Sequence, residues 1–207
     1  MTYIIWPVMR EMADSKEDLE KFIAGRCGHD DFELVPLITE KWNDDLSPWK
    51  FDDNKNSFGG KAEFFLERVG EAVESHRKSV EDRFVIAGYS LAGLFSLWAA
   101  TQMGVFDSVV CCSGSLWFPG FLEAELLPAC RYVYLSLGDK EAKTKHPLMS
   151  KVESITQEYS DFLKSAGTYE AVLFEMNQGN HFADPVDRMA KGIASCLSDK
   201  SNIHWVK

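Results

Sequence analysis

The sequence predicts an α/β protein with one mostly parallel sheet of about six strands and helices on both faces. Three observations carry this. Short apolar runs alternate strictly with helical patterns, and turn-forming residues fall between them. A chain of 207 residues holds one sizeable core and is short for two. The expected organisation is a single domain over residues 1–207.

The strands are expected at residues 3–8, 32–38, 83–87, 108–112, 132–137 and 170–175. Helices are expected at 15–24, 61–77, 91–103, 121–126 and 149–166, with a last one after Asp184 running to about 197. Ser15 with Asp18 fits an N-cap followed by an acidic first turn. Gly104 and Gly167 stand where left-handed residues would end their helices. Residues 43–60, rich in Asp, Asn, Pro and Gly, form the strongest loop signal.

A net charge of -10 argues against nucleic acid or an anionic membrane surface as a partner. The apolar run at residues 1–8 lacks a basic lead-in and is cut short by Arg10 and Glu11, so it reads as neither signal peptide nor membrane span. The five cysteines, Cys27, Cys111, Cys112, Cys130 and Cys196, show no paired spacing. They read as reduced, buried thiols of a cytoplasmic protein, with Cys111 and Cys112 pointing to opposite faces of their strand. No metal-ligand spacing or phosphate loop occurs, so neither metal nor cofactor is expected. Beyond the histidine considered below, His29, His76, His146 and His204 read as solvated surface residues.

In a parallel sheet, ligands collect at the carboxyl ends of the strands. Gly88-Tyr89-Ser90-Leu91-Ala92-Gly93 lies there, between a strand and a helix. The turn must be tight, so the residues two before and two after the serine must be small. It lifts the hydroxyl above the sheet and aims the next N–H at a developing oxyanion. Gly138-Asp139-Lys140-Glu141 follows the next-to-last strand, and Gly179-Asn180-His181 follows the last. The order Ser, acid, His is that of the α/β-hydrolase arrangement, with Ser90 as nucleophile and His181 as general base. Glu141 is the preferred acid and Asp139 the second candidate. Blander roles exist for each: Ser90 as a helix cap, His181 as a loop residue, the acids as turn formers. Ser47-Pro48-Trp49-Lys50 also matches S-x-x-K, and Lys143-Thr144 begins a K-T-G that ends in Lys145, but no S-D-N accompanies them.

The elbow and its sequel, Gly88-Tyr89-Ser90-Leu91-Ala92-Gly93-Leu94-Phe95-Ser96-Leu97, resemble the G-x-S-L-G-G-L-F-A-L stretch of the putative-esterase family that includes enterochelin esterase and esterase D. Phe106-Asp107 and Ser113-Gly114-Ser115-Leu116-Trp117-Phe118 are similar to that family's F-D and S-x-S-L-W-W segments, and residues 43–49 look like a loop of its compact bacterial branch. The resemblance spans about residues 40–195 and implies an ester hydrolase. It also implies an acid three residues after a glycine, which is Glu141. Ala92 replaces the usual glycine. The chain starts at the strand that would be third, so the first antiparallel strands are expected to be missing. The usual H-G pair is absent after that strand. The expected oxyanion donors are Leu91 and, since Pro7 has no N–H, Val8.

Tyr89, Trp42, Trp49 and Trp117 are expected to shape an aromatic pocket for a small or aromatic acyl ester. The partners implied are a small-molecule ester, without nucleic acid or membrane, and a homodimer is an open possibility. The alternatives are an acyltransferase or thioesterase with the same nucleophile, and a non-catalytic binding protein of the same fold.

Overall fold

The computed structural model describes residues 1–53 and 55–198. In chain order the elements are β1 (Thr2–Met9), α1 (Arg10–Ala13), α2 (Lys16–Cys27), β2 (Phe32–Thr39), α3 (Trp42–Asp45), β3 (Lys50–Asp52), β4 (Ser57–Gly59) and α4 (Ala62–His76). There follow β5 (Arg83–Tyr89), α5 (Leu91–Gln102), β6 (Ser108–Cys112), β7 (Tyr132–Gly138), α6 (Val152–Ala166), β8 (Ala171–Asn177) and α7 (Pro185–Leu197). A short 3₁₀ turn, Met149–Lys151, leads into α6.

Six strands form one sheet in the order β2-β1-β5-β6-β7-β8, and every neighbouring pair is parallel. The strand sequences are apolar on both faces because both faces are covered. Along β5, Phe84 and Ile86 pack into one core layer, Val85, Ala87 and Tyr89 into the other. Helices α4, α5 and α6 cover the first layer; α2 and α7 cover the second. Cys111 and Cys112 do part to opposite layers. Burial pushes the Cys112 and Cys130 thiols up to about 12, so both stay protonated and inert at neutral pH.

Two prolines sit in strands without breaking the sheet. Pro36 lies on edge strand β2, where a missing N–H is tolerated. Pro7 lies in β1 beyond Ile5, the last residue paired with β5, and pairs only with Leu37 of β2. Register carries the site: Tyr89 pairs with Cys112, Cys112 with Ser136 and Gly138 with Asn177, so β5 to β8 finish side by side.

Several sequence expectations fail. Residues 121–126 form turns rather than a helix, with Glu125 at φ 46 breaking the right-handed run. Ser15 does not cap α2, because its hydroxyl donates to Met12 O at 2.7 Å and closes the turn after α1. Gly167 ends α6 at φ 67 as expected, but α5 ends at extended Met103 rather than a left-handed Gly104. The 43–60 loop contains α3 and the antiparallel β3–β4 hairpin. Cys27 and Cys130 are only half-buried. His29, His76 and His146 are half-buried rather than solvated; His76 Nδ1 sits 2.7 Å from Ala72 O with its ring against Tyr3. His204 lies outside the described residues.

Candidate active site

Ser90 stands between β5 and α5 at φ 59, ψ -124, a conformation costly for a residue with a Cβ. The cost, of order 1–3 kcal/mol, is borne because neighbours hold the turn on all sides. Ser90 N–H donates to Cys112 O at 3.0 Å, and Ser90 O accepts from Gly93 and Ser115 N–H, each at 3.0 Å. A Cβ at Gly88 would collide with the Ala92 backbone, which is the steric reason for glycine there. Ala92, fully buried, fits without difficulty. The next N–H, that of Leu91, opens α5 and has no intrahelical acceptor, so it is free to meet an oxyanion.

His181 Nε2 lies 3.0 Å from Ser90 Oγ, and its Nδ1 lies 2.8 Å from Glu141 Oε2. Glu141, not Asp139, is therefore the carboxylate in reach of the imidazole. Asp139 does a different job. Its Oδ1 accepts the Gly179 N–H at 2.7 Å and pins the histidine loop to the acid loop. Gly138 allows that approach, since a Cβ there would meet Gly179 O.

The Glu141 side chain is only 4% exposed, and burial pushes its pKa up. Hydrogen bonds to His181, Ser113 and the Gly138 N–H outweigh burial and hold the carboxyl below its ordinary value. The second carboxylate oxygen accepts from Ser113 Oγ at 2.7 Å, Gly138 N–H at 2.7 Å and Arg188 Nη1 at 3.0 Å.

Arg188 is the site residue that sequence reasoning missed. It is 2% exposed and reaches five acceptors: the two N–H groups of Nη1 are shared among Tyr89 Oη, Ser113 Oγ and Glu141, and Nη2 donates to the carbonyls of Gln178 and Asn180. One planar guanidinium thus ties the elbow, the acid and the histidine loop together. The available signal was weak: an arginine four residues before Gly192 on an otherwise apolar face of α7. Tyr89, beneath the imidazole, donates its hydroxyl to His181 O at 2.7 Å. Burial pushes its phenol pKa up, so it stays a neutral donor.

Ser90, His181 and Glu141 open onto a cleft of about 460 Å³. Ser115 also lines it, with its hydroxyl 3.5 Å from that of Ser90. Of the four expected pocket aromatics only Trp117 faces the cleft, together with Met149, Val152 and Phe182. Trp49 donates from Nε1 to Pro119 O and packs edge-on to Phe118, while Trp42 packs against the main core from α3. Tyr89 is turned beneath His181 rather than into the cleft. Trp49 and Tyr89 are scaffold because their polar ends find partners inside the protein, and Trp42 because its ring packs on the core. Val8 lies within β1, buried and paired with Ile38, and is not part of the cleft lining. Ser47 of the S-x-x-K match is fully buried, donating to Asn43 O at 2.6 Å and accepting from Gly60 N–H at 2.8 Å, so it is a loop staple. Among the described residues no group of three His, Cys, Asp or Glu side chains is placed to hold a metal ion, and no helix is long and apolar enough to cross a membrane.

No family model matches the chain. The uncharacterized protein YbbA of Bacillus subtilis is 25% identical over 152 residues, which are 66% of this chain and 60% of that protein. The chain thus spans about 60% of the length of the curated relative it matches. Among solved structures it is similar to the siderophore hydrolase EstB from Aspergillus nidulans, with a TM-score of 0.70 at 18% identity over 98% of this chain and 84% of that one. It is also similar to the Zea mays acyl-protein thioesterase 2, with a TM-score of 0.59 at 16% identity over 95% and 94%. Est1E from Butyrivibrio proteoclasticus, solved with ferulic acid bound, gives a TM-score of 0.57 at 10% identity over 95% and 87%. At these identities the likeness is one of fold, and the fold is that of the α/β-hydrolases.

Proposed function

We propose that this chain is a serine hydrolase of carboxylic esters, folded as one domain, with Ser90, His181 and Glu141 as its catalytic triad. The observation that carries the reading is the unbroken chain of contacts from Ser90 Oγ through His181 to Glu141, at 3.0 and 2.8 Å, beginning on a strained turn. Ser90 Oγ attacks the ester carbonyl while its proton passes to His181 Nε2. Glu141 holds the ring with Nδ1–H toward itself and stabilises the imidazolium that forms. The Leu91 N–H donates to the oxyanion. Collapse of the tetrahedral intermediate expels the alcohol, protonated by His181, and leaves an acyl-enzyme at Ser90. Water, activated by the same imidazole, then releases the acid.

The His181 side chain that would activate water is 32% exposed, so solvent has a path to the acyl-enzyme, which favours hydrolysis over transfer to a second bound acceptor. The volume and the apolar side of the cleft suit a small acyl or aryl ester. Cys27, Cys111, Cys112 and Cys130 form no disulfide among the described residues, which fits a reducing compartment, and we assign the protein to the cytoplasm on that basis.

The decisive experiment is labelling with a fluorophosphonate followed by peptide mapping. Label is expected on Ser90 and lost in Ser90→Ala. Label at another serine, or none with the folded protein, overturns the reading in favour of a binding protein that shares the fold.

A further inference from the structure

Besides Trp117, Met149 and Val152, the cleft is lined by the loop after β7, which contributes Lys140, Lys143 and Thr144. Both lysines are exposed, and neither has an ion-pair partner among the described residues. Of the acids beside them, Glu141 is taken up by His181, Ser113 and Arg188, while Asp139 turns one oxygen to the Gly179 N–H and keeps its charge. Thr144 Oγ accepts the His146 N–H at 3.2 Å, which leaves its own O–H to donate. In a chain of net charge -10, two ammonium groups that form no ion pair among the described residues run against the general field at the mouth of the site. They also ride on the loop that holds the histidine's carboxylate, so their position is tied to that of the reacting atoms.

Resting on the hydrolase reading, we propose that the substrate is an ester bearing a second, anionic group. Its apolar part lies against Trp117 and Met149 and its anion meets Lys140, Lys143 and the Thr144 hydroxyl. Two lysines in so open a setting should favour an anionic ester over its neutral match by about tenfold, an effect that weakens as salt rises.

Two matched pairs of probes test this. 4-Nitrophenyl hemiglutarate against 4-nitrophenyl pentanoate places the carboxylate on the acyl side; 4-acetoxybenzoate against 4-acetoxybenzamide places it on the alcohol side. The proposal expects kcat/KM for the anionic member of at least one pair to lead by about tenfold, mostly through KM. The lead should shrink towards unity in Lys140→Gln/Lys143→Gln, invert in Lys140→Glu/Lys143→Glu, and fall in about 0.5 M salt. Because the ratio within a pair is read, a general loss of activity in a variant cancels. Equal kcat/KM within both pairs, or a lead that survives in the double glutamine variant, overturns the proposal. So does a wild-type protein whose Ser90 takes the fluorophosphonate but which hydrolyses neither anionic ester. Failure of Ser90 to label at all removes the hydrolase reading itself, so the two failures are told apart.

Discussion

The inner and outer walls of the same cleft are built on opposite rules. Behind His181, Arg188, Glu141, Tyr89 and Ser113 are buried and bonded to one another. In front of it, Lys140, Lys143 and Phe182 stand in solvent. A low-dielectric interior makes each polar contact strong and each missing one costly, so the inner wall can hold an imidazole in a single orientation. The outer wall holds nothing rigidly, and is suited to selecting a ligand. On the reading proposed above, chemistry belongs to the first and choice of substrate to the second.

The largest effect comes from the reacting atoms. Ser90→Ala should lower kcat on the order of 10⁵-fold or more while circular dichroism and the melting temperature stay near wild type, because Ser90 makes few side-chain contacts beyond His181. A drop under about a hundredfold breaks the assignment of the nucleophile.

The two carboxylates sharpen the contrast next. Glu141→Gln removes the charge that stabilises the imidazolium and lets an amide NH2 face Nδ1, which favours the wrong tautomer, so kcat should fall by up to roughly 10⁴-fold, as happens when a triad acid is amidated elsewhere. Asp139→Asn keeps an oxygen for the Gly179 N–H and should cost less than about tenfold. Steady-state kinetics on both variants decide the matter; a larger loss at Asp139 would reverse the roles assigned here.

Arg188→Met tests whether the inner wall acts as one unit. It strips a buried carboxylate of its ion pair and two loop carbonyls of their donor. Urea unfolding should show a loss of about 3–5 kcal/mol, accompanied by a fall in kcat. Arg188→Lys should recover part of the stability, since one ammonium cannot span all the acceptors of the guanidinium. Stability unchanged in Arg188→Met would mean the network is ornamental.

The smallest effect lies in pH. The folded Glu141 carboxyl titrates below its unfolded value, near 4.3 for an ordinary Glu, so the folded state prefers the ionised form. Its contribution is complete above the unfolded pKa and is lost as pH falls through the lower folded one. Unfolding free energy measured from about pH 6 to pH 3 should therefore drop less steeply in Glu141→Gln than in wild type. Parallel curves for the two proteins would remove the stabilising role of the ionised carboxylate.

How much of this was legible beforehand follows the range of the interactions involved. Strand–helix alternation is local, and all six strands of the sheet fall within a few residues of their expected places. The serine turn is local too: glycine at position 88 is dictated by clearance to the Ala92 backbone four residues on. By contrast, the short segment 121–126 offered a helical pattern that neighbouring turns overrode, and Ser15 found a nearer acceptor than the helix it precedes.

The residues themselves therefore settled the architecture, the chain order of Ser90, acid and His181, and the expectation that they meet where strands end. Three-dimensional packing brought Glu141, already preferred for its place after Gly138, to the imidazole and Asp139 to the Gly179 N–H, because that division depends on how two loops about forty residues apart abut at Gly138 and Gly179. Packing also drew Arg188 into the site and moved Tyr89, Trp42 and Trp49 out of the cleft. Periodicity and turn chemistry act over a few neighbouring residues and can be read along the chain. Which donor satisfies which buried acceptor depends on residues distant in sequence, and is decided only when the sheet has set its register.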